Sequence, residues 1–95
     1  MTREVRHNES EHRFEIALDG CIARADYRIV GGVMQIFHTE VPVEFEGRGI
    51  AALIIRAAID YAREHGLKVL PACSYVRSYM RRHPETHSAL AMSAR

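Results

Sequence analysis

The sequence predicts an α/β (α+β) domain, an antiparallel meander followed by a β-α-β crossover and a short C-terminal helix. Three observations carry that expectation. Residues 13–41 alternate apolar and polar side chains and are broken by two glycine-bearing dipeptides. From Ile50 the apolar residues switch to helical spacing. A glycine then stops the helix, and a short apolar run follows.

Taken in order, Val5 to Asn8 reads as a short first strand and Asn8-Glu9-Ser10-Glu11 as a turn. Arg13 to Leu18 places Phe14, Ile16 and Leu18 on one face, the period-two mark of a half-buried strand. Asp19-Gly20 is a hairpin turn. Cys21 to Val30 returns with Ala23, Ala25, Tyr27 and Ile29 facing one way and Arg24, Asp26 and Arg28 the other. Gly31-Gly32 is a second hairpin signal. Val33 to Val41 is apolar on both faces, as a central strand is, and places His38 with Met34, Ile36 and Glu40. The helix from Ile50 carries Leu53, Ile54, Ala57, Ala58 and Tyr61 on its apolar side and ends at Gly66. Leu67 to Ala72 is then a strand expected to lie parallel to Val33–Val41, through a right-handed crossover. Tyr75 to His83 reads as a short helix stopped before Pro84. The expectation is one domain over residues 1–89, with residues 90–95 a frayed tail.

Composition bounds the function. At 95 residues the chain is one small domain. Its net charge of +1 gives no electrostatic reason to expect nucleic acid. No apolar run reaches membrane-spanning length, so no membrane is expected. The charged start of the chain carries no signal-peptide apolar region, and Cys21 and Cys73 form no framework. A reduced cytoplasm with both thiols free follows as the expectation. The six histidines include no HExxH and no Cys–His cluster, so no metal site is expected.

Gly47-Arg48-Gly49 opens the helix. A helix N-terminus offers unpaired N–H groups and partial positive charge, and glycines before it let those groups converge on an anion. The turn therefore reads either as a plain helix entry or as a phosphate cradle. It is neither a P-loop nor a dinucleotide fingerprint, because no Lys-Ser/Thr follows the glycines and there is no GxGxxG.

With its flanks, this segment resembles a known family. Val41-Pro42, then Phe45-Glu46-Gly47-Arg48-Gly49-Ile50-Ala51, then a helix ending Ala62-Arg63-Glu64-His65-Gly66, is similar to the acetyl-CoA signature of the GNAT superfamily of N-acetyltransferases. The family pattern is Gln/Arg-x-x-Gly-x-Gly/Ala. Gly49 and Ala51 match its last two fixed positions, and Glu46 departs from the first. His38-Thr39-Glu40-Val41-Pro42, Pro71-Ala72-Cys73-Ser74-Tyr75-Val76, Tyr79 and His83-Pro84-Glu85 extend the likeness over Glu11–Pro84, to a short, minimal GNAT-like family lacking the helices between the first two strands.

The resemblance implies acetyl-CoA or coenzyme A as co-substrate and an amine acceptor, either a small molecule or a protein. It implies that Thr39, Val41, Glu46, Gly47, Arg48, Gly49, Ile50, Ala51 and Tyr75 hold the cofactor, with Glu46 turned to solvent. Pro71, which removes a ladder hydrogen bond, marks where the two parallel strands splay to admit the pantetheine arm. Cys73, His38 and Tyr79 are the implied catalytic residues. Cys73 is either an acetyl-accepting nucleophile, activated by a helix N-terminus or by His38, or a small packed hydrophobe. His38 is a general base or a buried structural histidine. Tyr79, or Tyr75, protonates the departing thiolate or packs in the core. Arg81-Arg82-His83 either touches the cofactor phosphates or serves the helix dipole. Without the missing helices the acceptor side is shallow. That suggests a second copy or a partner protein completing it, and it leaves a non-catalytic CoA-binding or interaction module as the competing function.

Overall fold

The computed structural model describes residues 4–91. Five strands form one sheet in sequence order: β1 (Arg6–Asn8), β2 (Arg13–Leu18), β3 (Cys21–Val30), β4 (Val33–Glu40) and β5 (Lys68–Pro71). The first four are antiparallel, and β4 pairs parallel with β5. Gly31 and Gly32 both take positive φ, as a two-residue type I′ turn between β3 and β4 requires. Between β4 and β5 runs the crossover helix α1 (Ile50–Glu64), and α2 (Ser74–Arg82) follows β5. Short 3₁₀ turns at Glu9–Glu11, Val43–Phe45 and Pro84–Ala89 complete the chain. The α+β meander-then-crossover architecture is therefore the one the sequence predicts.

The core lies between α1 and one sheet face. Phe14, Ile16, Ala23, Ala25, Met34 and Ile36 come from the strands, and Ile54, Ile55, Ala58, Ile59 and Ala62 from the helix. Leu53, expected inside, is 43 % exposed, whereas Ile55 and Ile59 are buried. The helix is rolled about its axis so that its branched isoleucines meet the sheet. Ile29 and Val30 stand largely exposed beyond the edge of the helix cover, although alternation placed Ile29 inside.

Glu15, which alternation turned outward, is nearly buried. Arg13 Nε reaches its carboxylate at 2.8 Å, and Arg6 and Asn8 at 3.3 Å each. Three donors offset the cost of removing the charge from water.

Two findings shape the site. First, β4 carries a bulge. Tyr27 pairs with Ile36 and Asp26 with His38, so Phe37 has no opposite residue. One extra residue reverses which side chains face the core beyond it. Thr39 is consequently buried and His38 exposed, which corrects the expectation that His38 shares a face with Met34 and Ile36.

Second, β4–β5 pairing ends at Ile36 and Pro71, with one further bond from the Ala72 N–H to the Ile36 carbonyl. The strand β4 runs four residues past that pair without β5 beside it.

The segment expected to fray from residue 90 starts against β5. Leu90 bridges Val69, and the Ala91 N–H donates to the Val69 carbonyl at 2.8 Å, so the chain adds to the free edge of β5. The remainder of that segment, 92–95, lies outside the described residues.

Candidate active site

The chain leaves β4 through Pro42 and the 3₁₀ turn, then reaches α1 through Glu46-Gly47-Arg48-Gly49. Gly47 and Gly49 have φ of +81° and +75°, a region where a side chain is strained. Gly49 is the residue that caps α1. Its carbonyl accepts the first intrahelical bond, from the Leu53 N–H, and no side chain caps the helix. The N–H groups of Ile50, Ala51 and Ala52 therefore point out of the helix end without an intrahelical acceptor. Added to the partial positive charge of a 15-residue helix, this makes an anion-attracting end.

That end opens into a cleft of about 210 Å³ between α1 and α2. Val41, Glu46, Gly47, Gly49, Ile50 and Ala51, all expected at the cofactor, line it. Tyr75 and Tyr79, one helical turn apart on α2, form the opposite wall. Tyr75 is 44 % exposed at the mouth, and Tyr79 is buried. Burial pushes the Tyr79 hydroxyl pKa up; the charges bearing on it are Arg56, Glu85 and Asp60, which share a second pocket with Tyr79.

The cleft also contains Phe45, Ala52 and Ile55, which sequence reasoning did not assign to the cofactor, and Arg82, from the basic run offered as either a phosphate contact or a helix-dipole partner. Arg82 closes the far side, its guanidinium held by Ser78 Oγ at 2.6 Å. The basic end of α2 was visible in the sequence; that Arg82 rather than Arg81 faces the cleft depends on how α2 docks. Glu46 is exposed on the cleft wall. Arg48 turns away from the cleft and lies 5.5 Å from the centre of the Phe45 ring.

The remaining expected residues form two separate groups. Cys73 caps α2, and its thiol donates to the Thr39 hydroxyl at 3.4 Å. The bulge made this pair by turning Thr39 inward. His38 belongs to neither the cleft nor the thiol. On the exposed face its Nε2 lies 3.1 Å from Glu40, whose carboxylate also meets Arg24 at 3.2 Å. The hydrogen bond from His38, and then the charge of Arg24, hold the Glu40 pKa below the usual carboxylate value. The structure thus separates His38 from Cys73. Among the described residues, no group of three His, Cys, Asp or Glu side chains could hold a metal ion.

A crossover helix with an uncapped glycine start, beside parallel strands that part at a proline, defines a protein of the N-acetyltransferase fold class. Known proteins place it in a family. Residues 13–90 match the family model described as GCN5-related N-acetyl-transferase. The chain is 37 % identical over 84 residues to Protein NATD1 of Gallus gallus, covering 85 % of this chain and 76 % of that one. It is likewise 37 % identical to Protein NATD1 of Homo sapiens, over 84 % of this chain and 74 % of the human one. The solution structure of a GCN5-like protein from Staphylococcus aureus superposes with a TM-score of 0.75 at 26 % identity, over 93 % of this chain and 87 % of that one. This chain belongs to the GCN5-related N-acetyltransferase family.

Proposed function

We propose that this protein binds acetyl-CoA through the glycine turn and transfers its acetyl group to an amine. The observation that carries the reading is the uncapped start of α1, where Gly47 and Gly49 adopt backbone angles that leave the first helical N–H groups open to the cleft. The CoA pyrophosphate lies on those N–H groups, with Arg82 as the arginine in the cleft lining and Glu46 exposed to solvent on the cleft wall. The pantetheine arm follows the gap beyond the Ile36–Pro71 pair. There a main-chain N–H of the 37–40 segment polarises the thioester carbonyl. A neutral amine attacks that carbon, the C–S bond breaks as the CoA thiolate leaves, and the proton lost from the amine nitrogen is taken up by the thiolate, giving an amide and the CoA thiol.

Direct transfer is favoured over an acetyl-Cys73 intermediate because the Cys73 thiol donates to the Thr39 hydroxyl, whereas His38 is exposed and partnered by Glu40. A second reading, a CoA-binding module without turnover of its own, is supported by the 3₁₀ turn that alone joins β1 to β2. That connection leaves the sheet face opposite α1 without a helical cover among the described residues. A partner or a second copy would then complete the acceptor side.

Calorimetry with CoA and acetyl-CoA, on wild type and Gly49→Glu, tests the cradle. Acetyl-CoA turnover against a panel of amines and peptides separates the two readings. Tight CoA binding with no turnover on any acceptor would favour the module.

A further inference from the structure

A further pocket, open to solvent, lies at the other end of α1, roughly 16 Å along the helix from Ile50 at 1.5 Å per residue. It measures about 360 Å³ and is lined by Tyr27 from β3, Tyr61 from α1, and Glu9 and His12 from the turn joining β1 to β2, with Arg28 and Ile29 completing the wall.

The rings are fixed by the protein itself. Tyr27 is buried, and its hydroxyl lies 2.6 Å from His7 Nε2. The His7 ring stacks on Phe14 at 4.0 Å and meets Tyr61 edge-on at 4.4 Å, so it joins both tyrosines from below. His12 stands edge-on to Tyr27 at 5.9 Å. It is the single non-glycine residue with positive φ among the described residues, at +56°. Two main-chain bonds hold it there, from its N–H to the Glu9 carbonyl at 3.1 Å and from the Tyr27 N–H to its own carbonyl at 3.0 Å.

The pocket is lined by one carboxylate residue, Glu9, and one arginine, Arg28. The Glu9 carboxylate receives the Tyr61 hydroxyl at 3.5 Å and makes no ion pair with a lysine or arginine among the described residues. The guanidinium of Arg28 is drawn over the Phe37 ring at 4.6 Å, on the sheet face opposite α1. His65 stacks against Tyr61 at 3.9 Å. Burial lowers the pKa of His7, so that ring adds no positive charge near neutral pH.

Aromatic faces and edges around a carboxylate that has no lysine or arginine partner among the described residues, with the Arg28 guanidinium occupied by the Phe37 ring, are the chemistry that recognises an organic cation. We infer that this pocket binds an alkylammonium group, seated between Tyr27, Tyr61 and His12 and neutralised by Glu9. The site is independent of the acetyl-CoA reading, since it shares no residue with the cleft at the start of α1.

The test is an NMR titration of the full chain at neutral pH with tetramethylammonium chloride, against sodium chloride at matched ionic strength and against tert-butanol, a neutral molecule of similar shape. Saturable shifts confined to Glu9, His12, Tyr27 and Tyr61, with affinity in the millimolar range, are expected for the cation alone. Glu9→Gln, at an exposed position, is expected to weaken binding about tenfold, and Tyr61→Leu to abolish it. Parallel titrations with free spermidine and with a capped lysine peptide assign the source of the ammonium group, the tighter of the two being the one the pocket serves. Equal shifts with tert-butanol, no saturable shift with tetramethylammonium, or unchanged affinity in Glu9→Gln would each overturn the assignment.

Discussion

Replacing Gly49 separates a plain helix entry from a phosphate cradle, because the two roles respond differently to charge. A Cβ built on Gly49 meets no atom within 4 Å, so alanine brings no clash and glutamate none at its Cβ. What each costs is the backbone angle, φ +75°, which strains a non-glycine residue by about 1–2 kcal/mol. For a domain of this size that corresponds to a fall in melting temperature of about 4–8 °C per kcal/mol.

A carboxylate at the start of α1 recovers about 0.3–1 kcal/mol from the helix dipole. Gly49→Glu should therefore melt no lower than Gly49→Ala. CoA binding should follow the opposite order. A negative charge about 5 Å from a phosphate charge is disfavoured by about 3 kcal/mol at an effective dielectric of 20. Solvent screening at this exposed position reduces that, leaving about a ten- to hundredfold loss of affinity. The assay pairs thermal melting with CoA calorimetry on all three proteins. Gly49→Glu binding CoA as tightly as wild type, or no more weakly than Gly49→Ala, would refute the cradle.

Other consequences can be measured directly. Incubation with labelled acetyl-CoA and no acceptor should leave Cys73 unmodified by mass spectrometry, and Cys73→Ala should keep turnover within a few-fold of wild type; an acetyl-Cys73 adduct would establish the covalent route instead. Ile54→Ala, at a fully buried position, should cost about 2–5 kcal/mol in denaturant unfolding, whereas Leu53→Ala, 43 % exposed, should cost less than about 1 kcal/mol; similar costs would contradict the observed roll of α1. His7 has a folded pKa below the ordinary value of 6.5, so below that value the unfolded chain binds more protons than the folded one. Stability should accordingly fall as pH drops from 6.5 towards the folded pKa, and His7→Phe should flatten that dependence in melting curves. An unchanged slope in the variant would place the titration elsewhere.

Much of the candidate site could be read from the sequence because it is built from local backbone. The glycine turn, the start of α1 and the proline that ends β4–β5 pairing depend on residues adjacent in the chain, and Val41, Glu46, Gly47, Gly49, Ile50 and Ala51 line the cleft together. Tyr75 and Tyr79 share its other wall because they are four apart on one helix. The chemistry attached to β4 was less legible. Simple alternation carried His38 inward, and Phe37, the residue left over in pairing with β3, sends it outward and Thr39 to Cys73. Nothing near Phe37 in the chain marks it as a bulge, since the extra residue exists only relative to the opposite strand.

The amino-acid sequence by itself determined the hairpins, the strand and helix limits to within a residue or two, and the glycine-opened helix. Each of these follows from short-range sterics: positive φ at glycine, fixed φ at proline, and the periods of two and 3.6. Only the tertiary structure decided the register of β4 against β3, the roll that buries Ile55 instead of Leu53, the donors that bury Glu15, and the gathering of Glu9, His12, Tyr27 and Tyr61 at one end of α1. Those outcomes depend on residues distant in the chain meeting in space. A shift of one residue in pairing turns a side chain from the core to solvent, and no local pattern of polar and apolar residues specifies it.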